Sequence, residues 1–505
     1  MHETNTTIYL PICDKVVTAE AGCDYAMPDY QPEVRRLLRV KTTLLPIASY
    51  VGGGKAEIAG TVRYDVLYSA GDGALYSATF SENYQMSAPL AADADVDYSD
   101  ELPAFCEPEI ELVTGRVTAP RRLSVRCRVK GRIKVFGRHR LLERIVGEVS
   151  EGSIQRLGGE CLGATLTRPA ADTFTLTEEL SCEGQGDIRA VMGETSFFVS
   201  ETVPSADGVG CRGEAHVKVI ACREEDGTPV ILTAKSPFSI TIPADGFTPD
   251  TDCRVRVCAT ETTCTVGEDG RVTVDVSATA VAEGQRNIPV HYTADLYSTE
   301  RTDVATLETY RFPRAERCFT GNFTQSVYEP QTSFGLAPDA EVLDADAAPT
   351  VTGLSFEKGK WVVTGDTRIS LLSKEGGEYA AHEISLPFRY ETDGEGGTPV
   401  LSAVEVTPTV TKTRTESGRL SLECEMAVTA RVAVEESIEA LCRVEFQEPV
   451  KKPTEMVVAF PERGESLWSV AKRYHAPVGE LARKNALPVS ISQPLPDPTP
   501  IVVNE

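Results

Sequence analysis

GTVRYDVLY, residues 60–68, alternates strictly: Val62, Tyr64 and Val66 are apolar, while Arg63 and Asp65 between them are charged. Period two is the mark of a strand with one buried and one solvated face. The phrase returns without gaps as GEAHVKVIA from Gly213 and GDTRISLLS from Gly365, 153 and 152 residues further on. In the copies Ala215, Val217 and Val219 alternate with His216 and Lys218, and Thr367, Ile369 and Leu371 alternate with Arg368 and Ser370. On this pattern His216 is expected at the solvated surface. A repeat of this length is one folded unit rather than one turn of a solenoid.

Working outward, a second triplet keeps the period. RLSVRCRV from Arg122, RVTVDVSA from Arg271 and RLSLECEM from Arg419 stand 149 and 148 residues apart. One inward position holds Cys127, Val276 and Cys424 in turn, so cysteine serves there as a small apolar filler. Turn signals follow the first strand of each copy: AGDG at 70–73, EEDG at 224–227 and EGG at 375–377. Val34, Leu37 and Leu38 in PEVRRLLRV, and Ile188, Val191 and Met192 in DIRAVMGE, have helical spacing and predict a short helix in two copies, with no third copy placed. The chain is therefore expected to be mainly β. Three tandem β-rich repeat domains of about 150 residues, sandwiches or open barrels, cover 1–152, 153–302 and 303–447. A linker at 448–455 then leads to a small C-terminal α+β unit of βααβ order over 456–503.

The 505 residues carry a net charge of −25. Lys451 onward is +1, so the β body holds the whole excess. Nucleic-acid affinity comes from cationic contacts, which makes nucleic acid an unexpected partner. MHETNTTIYLPICDK has no basic n-region and no long apolar run, and nothing approaches a spanning helix, so a cytoplasmic location is expected. The fourteen cysteines are then expected reduced. They include no CxxC pair, the tightest run being Cys253, Cys258 and Cys264, and no metal site is expected.

Catalytic patterns are missing as well. GVGCRG at 208–213 satisfies GxGxxG, but the alternating EAHVKVIA after it reads as a strand, whereas a dinucleotide fingerprint opens a helix. The six histidines make no HxH or HxxxH pair, and no GxSxG or GxxxxGK[ST] occurs. NTT at 5–7 and NFT at 322–324 are sequons of the kind chance supplies. The expectation is a protein that is not an enzyme and uses no cofactor.

The C-terminal unit breaks the period. In GESLWSVAKRYH, residues 464–475, Leu467, Val470, Ala471 and Tyr474 have helical spacing, with Gly464 as the turn and Ser466 placed to cap. Glu465 stands beside the positive helix end. A second helix is expected around Val478–Asn485, and Trp468, Val470 and Leu481 are expected to carry much of a thin core. GESLWSVAKRY and ELARKNAL resemble a LysM module. That resemblance implies a groove for N-acetylglucosamine polymers or for a protein partner, walled by Gly464, Glu465, Ser466 and Leu467 on one side and by Asn485, Leu487, Pro488 and Val489 on the other. The sequence departs from the family at Pro477, in place of a capping hydroxyl, and at PDPTP, 496–500, before the last strand.

MPDYQPEVRRLLRV (27–40) with GTVRYDVLY resembles the SPOCS domain of SipL-type spore-coat morphogenetic proteins, in which several such domains precede one LysM module. This implies a mother-cell scaffold at the forespore surface whose LysM module docks the coat-basement ATPase called stage IV sporulation protein A. The alternative is a peptidoglycan-binding wall protein anchored by its LysM module. Self-association through sheet edges is a further expected contact.

Overall fold

GTVRYDVLY lies in the strand Lys55–Ala70, the middle of an antiparallel sheet between Val34–Leu44 and Leu75–Pro89. Its two copies hold the same place. Gly208–Arg223 runs between Ile188–Ser205 and Pro229–Pro243, and Lys360–Glu375 runs between Glu341–Glu357 and Glu378–Asp393. The second triplet centres three more sheets, on Arg122–Arg140, Val272–Ser298 and Arg419–Pro449. The computed structural model describes residues 6–91, 96–97, 102–182, 187–267, 270–316, 318–452, 455–487, 490–495 and 500–504. Within them the chain is mainly β, with several antiparallel sheets and a short C-terminal two-helix region with flanking strands.

In each segment the two sheets face one another across an apolar core. Val62, Tyr64 and Val66 meet Leu123, Val125 and Cys127 in the first; Ala215, Val217 and Val219 meet Val274 and Val276 in the second; Ile369 and Leu371 meet Leu422 and Cys424 in the third. Cys127, Val276 and Cys424 are all buried, as apolar fillers are. The glycine that opens each copy has a steric cause. A Cβ there would collide with Tyr84 at Gly60, with Phe238 at Gly213 and with Phe388 at Gly365, each an aromatic ring on the neighbouring strand. The hairpins turn where expected, with Gly73, Gly227, Gly376 and Gly377 at positive φ. Asp72 and Asp226 accept the backbone N–H two residues on, at 2.9 Å each. GVGCRG begins the strand Gly208–Arg223 rather than a helix.

The expected short helices are not helices. Val34, Leu37 and Leu38 lie in the strand Val34–Leu44, and Ile188, Val191 and Met192 lie in Ile188–Ser205. The cause is a β-bulge, one extra residue that shifts the inward phase and so imitates i, i+3, i+4 spacing. Register skips Leu38 between Leu37 and Arg39, and skips Val191 between Ala190 and Met192. The third copy is the skip between Val342 and Asp344, which leaves Leu343 unpaired. All three bulge residues belong to one apolar cluster with Leu67, Ile220 and Leu372, so the three segments meet there.

That meeting also corrects the reading of the polar faces. Arg63 and Asp65 are each only 8% exposed, paired at 2.9 Å, and Arg63 donates to the Ala259 carbonyl of the second segment at 3.0 Å. His216, at the equivalent position, is half-buried rather than fully solvated: its Nδ1 meets the Thr409 carbonyl of the third segment at 2.8 Å. Around Arg63 and His216 the phase opposite the core faces another segment, whereas Arg126, Arg128 and Asp275 on the second repeated strands are exposed.

Beside the apolar cluster lies a layer of six charges drawn from all three segments. Arg39, Lys41 and Lys218 face Glu194, Asp344 and Asp346, with Arg39–Asp344 at 2.8 Å, Lys41–Glu194 and Lys41–Asp346 at 2.9 Å, and Lys218–Glu194 at 3.2 Å. Burial alone pushes the Glu194 carboxyl up, but Lys218, Lys41 and Arg39 together outweigh it and hold it well below the usual carboxylate range. Asp344 is likewise lowered: burial raises it, and Lys218 with Arg39 overcomes that. A carboxylate depressed in the fold adds stability above its unfolded pKa of about 4, and loses it as pH falls through the folded value. The urea midpoint is therefore expected to fall between pH 6 and pH 3, more steeply in the native chain than in Glu194→Gln. Parallel pH profiles for the two chains would remove the charge layer as the cause.

Two more clusters join the segments farther along. Ile8, Val290 and Phe312 pack together in one, and Phe136, Leu166 and Ala433 in the other. The connection after the first segment is also pinned, with Arg144–Val146 running parallel to Arg443–Glu445.

Candidate functional site

The C-terminal unit is built on two short strands, Val457–Ala459 and Ile501–Asn504, paired antiparallel. Between them lie α1, Leu467–Arg473, and α2, Val478–Lys484. Gly464 makes its turn at φ 88°, and Ser466 caps α1 by accepting from the Ser469 N–H at 3.2 Å. Glu465 accepts from the Glu462 N–H at 2.9 Å and pairs with Arg473. Pro477 precedes α2 without a side-chain cap. Leu467, Trp468, Val470 and Leu481 form the core with Ala459, Ala471, Ile501 and Val503.

Leu467, Asn485 and Leu487, expected to wall a groove, have roles within the fold. Leu467 is 1% exposed, because it shares the inner face of α1 with Val470 and Ala471, so its side chain cannot line a surface. Asn485 spends its amide on the fold. It donates to the Leu481 and Val502 carbonyls at 2.9 Å and accepts from the Val502 N–H at 2.8 Å, which ties the last strand to α2. Leu487 packs partly against the core. Pro488 and Val489, and most of PDPTP, lie outside the described residues.

The chain after α2 crosses onto the turn before α1. Leu495 N–H donates to the Glu465 carbonyl and Trp468 N–H to the Ile491 carbonyl, both at 2.9 Å, with Ser466 bridged to Pro494 between them.

Comparison of the chain with protein-family models, with curated proteins and with solved structures finds no match. The reading of the unit rests on its own geometry.

One face of the unit is fixed to the β body. Trp468 packs edge-on against Tyr297 with ring centroids 4.9 Å apart, and its Nε1–H donates to Asp295 at 2.8 Å. Asp295 also holds Lys472, the Tyr297 hydroxyl donates to the Ala476 carbonyl at 2.7 Å, and His475 Nδ1 meets the Ser298 carbonyl at 2.8 Å. Asp295, Tyr297 and Ser298 end the strand Val272–Ser298. Sequence reading did not find this attachment, since nothing in ADLYS marks a docking surface.

Sequence reading also passed over the opposite face. In MVVAF, Val457 and Ala459 turn inward, while Met456, Val458 and Phe460 turn out, 63%, 38% and 69% exposed. Met456, Val458 and Phe460 thus form an apolar stripe on the outward face of the strand that pairs with Ile501–Asn504. Five apolar residues in succession, in a strand with only one packed face, were the available signal.

Proposed function

We propose that the chain is a non-enzymatic scaffold of the spore envelope. In this reading three tandem SPOCS-like β domains form a rigid body, and a LysM-like module docks a protein of the stage IV sporulation protein A type, a coat-basement ATPase. The scaffold acts in the mother-cell cytoplasm at the forespore surface. The observation that carries the reading is the exposed apolar stripe of Met456, Val458 and Phe460. An exposed apolar stripe suits a protein partner, which can cover it.

The test uses the full chain and an exposed residue whose loss does not disturb the core. Phe460→Asp is expected to weaken capture of the purified ATPase by about tenfold or more, as loss of an aromatic anchor does, with the melting temperature unchanged. Native-level capture by Phe460→Asp would remove this stripe as the docking surface. Co-sedimentation of the native chain with purified peptidoglycan, without capture of the ATPase, would overturn the scaffold reading in favour of a wall protein.

A further inference from the structure

Between the charge layer and the cluster of Phe136, Leu166 and Ala433 lies a cavity of about 1380 Å³ lined by all three segments. Its lining holds eleven Lys and Arg against six Asp and Glu, in a chain whose net charge is −25. Most of these cations are answered locally. Lys41 and Lys218 belong to the charge layer, Arg254 reaches Glu107 and Glu405 at 3.3 and 3.1 Å, and Arg431 reaches Glu283 at 3.0 Å. On the rim Lys130 meets Glu109, Arg132 meets Asp14, Lys235 meets Glu214 and Lys412 meets Glu425.

Three cations remain, one from each segment. Lys134, Arg256 and Arg368 form no ion pair among the described residues, yet all three line the cavity. Burial lowers the Lys134 ammonium from its ordinary value, only partly opposed by Asp14, and its Nζ donates to the Val400 carbonyl. Arg431 adds a second, independent sign. Its side chain is 2% exposed and lines the cavity, while its Nε and Nη1 have no hydrogen-bond partner; the Nε of buried Arg254 is also unpartnered. Unpaired buried donors are costly, and guanidinium forks match oxyanions. An acidic protein that gathers three cations without a close ion pair around one cavity has the makings of an anion site.

We infer that this cavity binds a small, multiply charged oxyanion, bearing phosphate or carboxylate groups. Arg256, Arg368 and Lys134 supply the net charge. The site is independent of the C-terminal docking stripe, so it stands or falls apart from the scaffold reading.

The full chain is titrated calorimetrically at constant ionic strength with pyrophosphate in one arm and citrate in the other. One saturable site per chain is expected in at least one arm, and the tighter arm assigns phosphate or carboxylate. Arg256→Gln and Arg368→Gln are each expected to weaken binding about tenfold or more; Arg368→Gln is expected to leave the unliganded melting temperature unchanged, whereas Arg256→Gln also takes counter-charge from Glu107 and Glu283. No saturable binding in either arm would overturn the inference. So would undiminished binding in the Arg256→Gln, Arg368→Gln double variant.

Discussion

Arg39→Met is expected to lower the stability of the β body by about 3–5 kcal/mol, read from the shift of its urea midpoint. Arg39 comes from the first segment and is 5% exposed. It donates to Asp344 at 2.8 Å and to the hydroxyl and carbonyl of Ser370 at 3.2 Å, all in the third segment, and lies 4.0 Å from Glu194 in the second. Methionine fills much of the volume but leaves Asp344 and Glu194 with one cation fewer in a place water scarcely reaches. The penalty comes from the orphaned carboxylates rather than from lost packing, and this separates it from an ordinary core change. Adding Asp344→Asn restores the balance of charge, with Lys41 and Lys218 facing Glu194 and Asp346. The double variant is therefore expected to regain about half of the loss or more. A midpoint within experimental error of the native chain for Arg39→Met alone would show that the layer does not hold the segments together.

Trp468→Ala is expected to release the C-terminal unit while the β body stays folded. Trp468 is 3% exposed, and its ring joins the thin core of the unit to Tyr297 of the body. Truncating a buried tryptophan costs about 3–5 kcal/mol, and a unit of fewer than 50 residues has little stability to spare. The cut also removes the Nε1–H that Asp295 accepts, leaving Lys472 as its partner in the unit. The readout is amide exchange. Protection across Leu467–Lys484 is expected to collapse, while protection in Gly208–Arg223 and Lys360–Glu375 is retained. Trp468→Phe keeps most of the packing and loses only the hydrogen bond, so an intermediate loss is expected. Concerted loss of protection in the body and the unit would mean that they unfold as one, and the attachment is then more than a dock.

How far the sequence could be read follows from what each signal reports. Alternation is set by the local backbone, so Val62, Tyr64 and Val66 could be assigned to one face from the sequence alone. Spacing of 153 and 152 residues then carried that assignment to the other two segments. Helical spacing in PEVRRLLRV misled because a bulge inserts one residue into a strand, and over so short a window the result matches a helical turn. The fate of the polar phase was not legible at all. Arg63, His216 and Lys218 carry the composition of a solvated face, and only the meeting of the three segments draws them into contacts with one another's segments. In the C-terminal unit the spacing marked α1 and its core, but Asn485 has the same letter whether it contacts a ligand or ties Val502 to Leu481.

By itself, then, the sequence determined the strand pattern, the inward cores and the βααβ order of the last unit, since each depends on neighbours within one element or one hairpin. The tertiary structure decided which polar residues are interior, where Trp468 docks and where the cavity cations gather. Those outcomes depend on residues brought together from positions as far apart as Arg39, Glu194 and Asp344, and the Coulomb and desolvation terms that govern them act through space rather than along the chain.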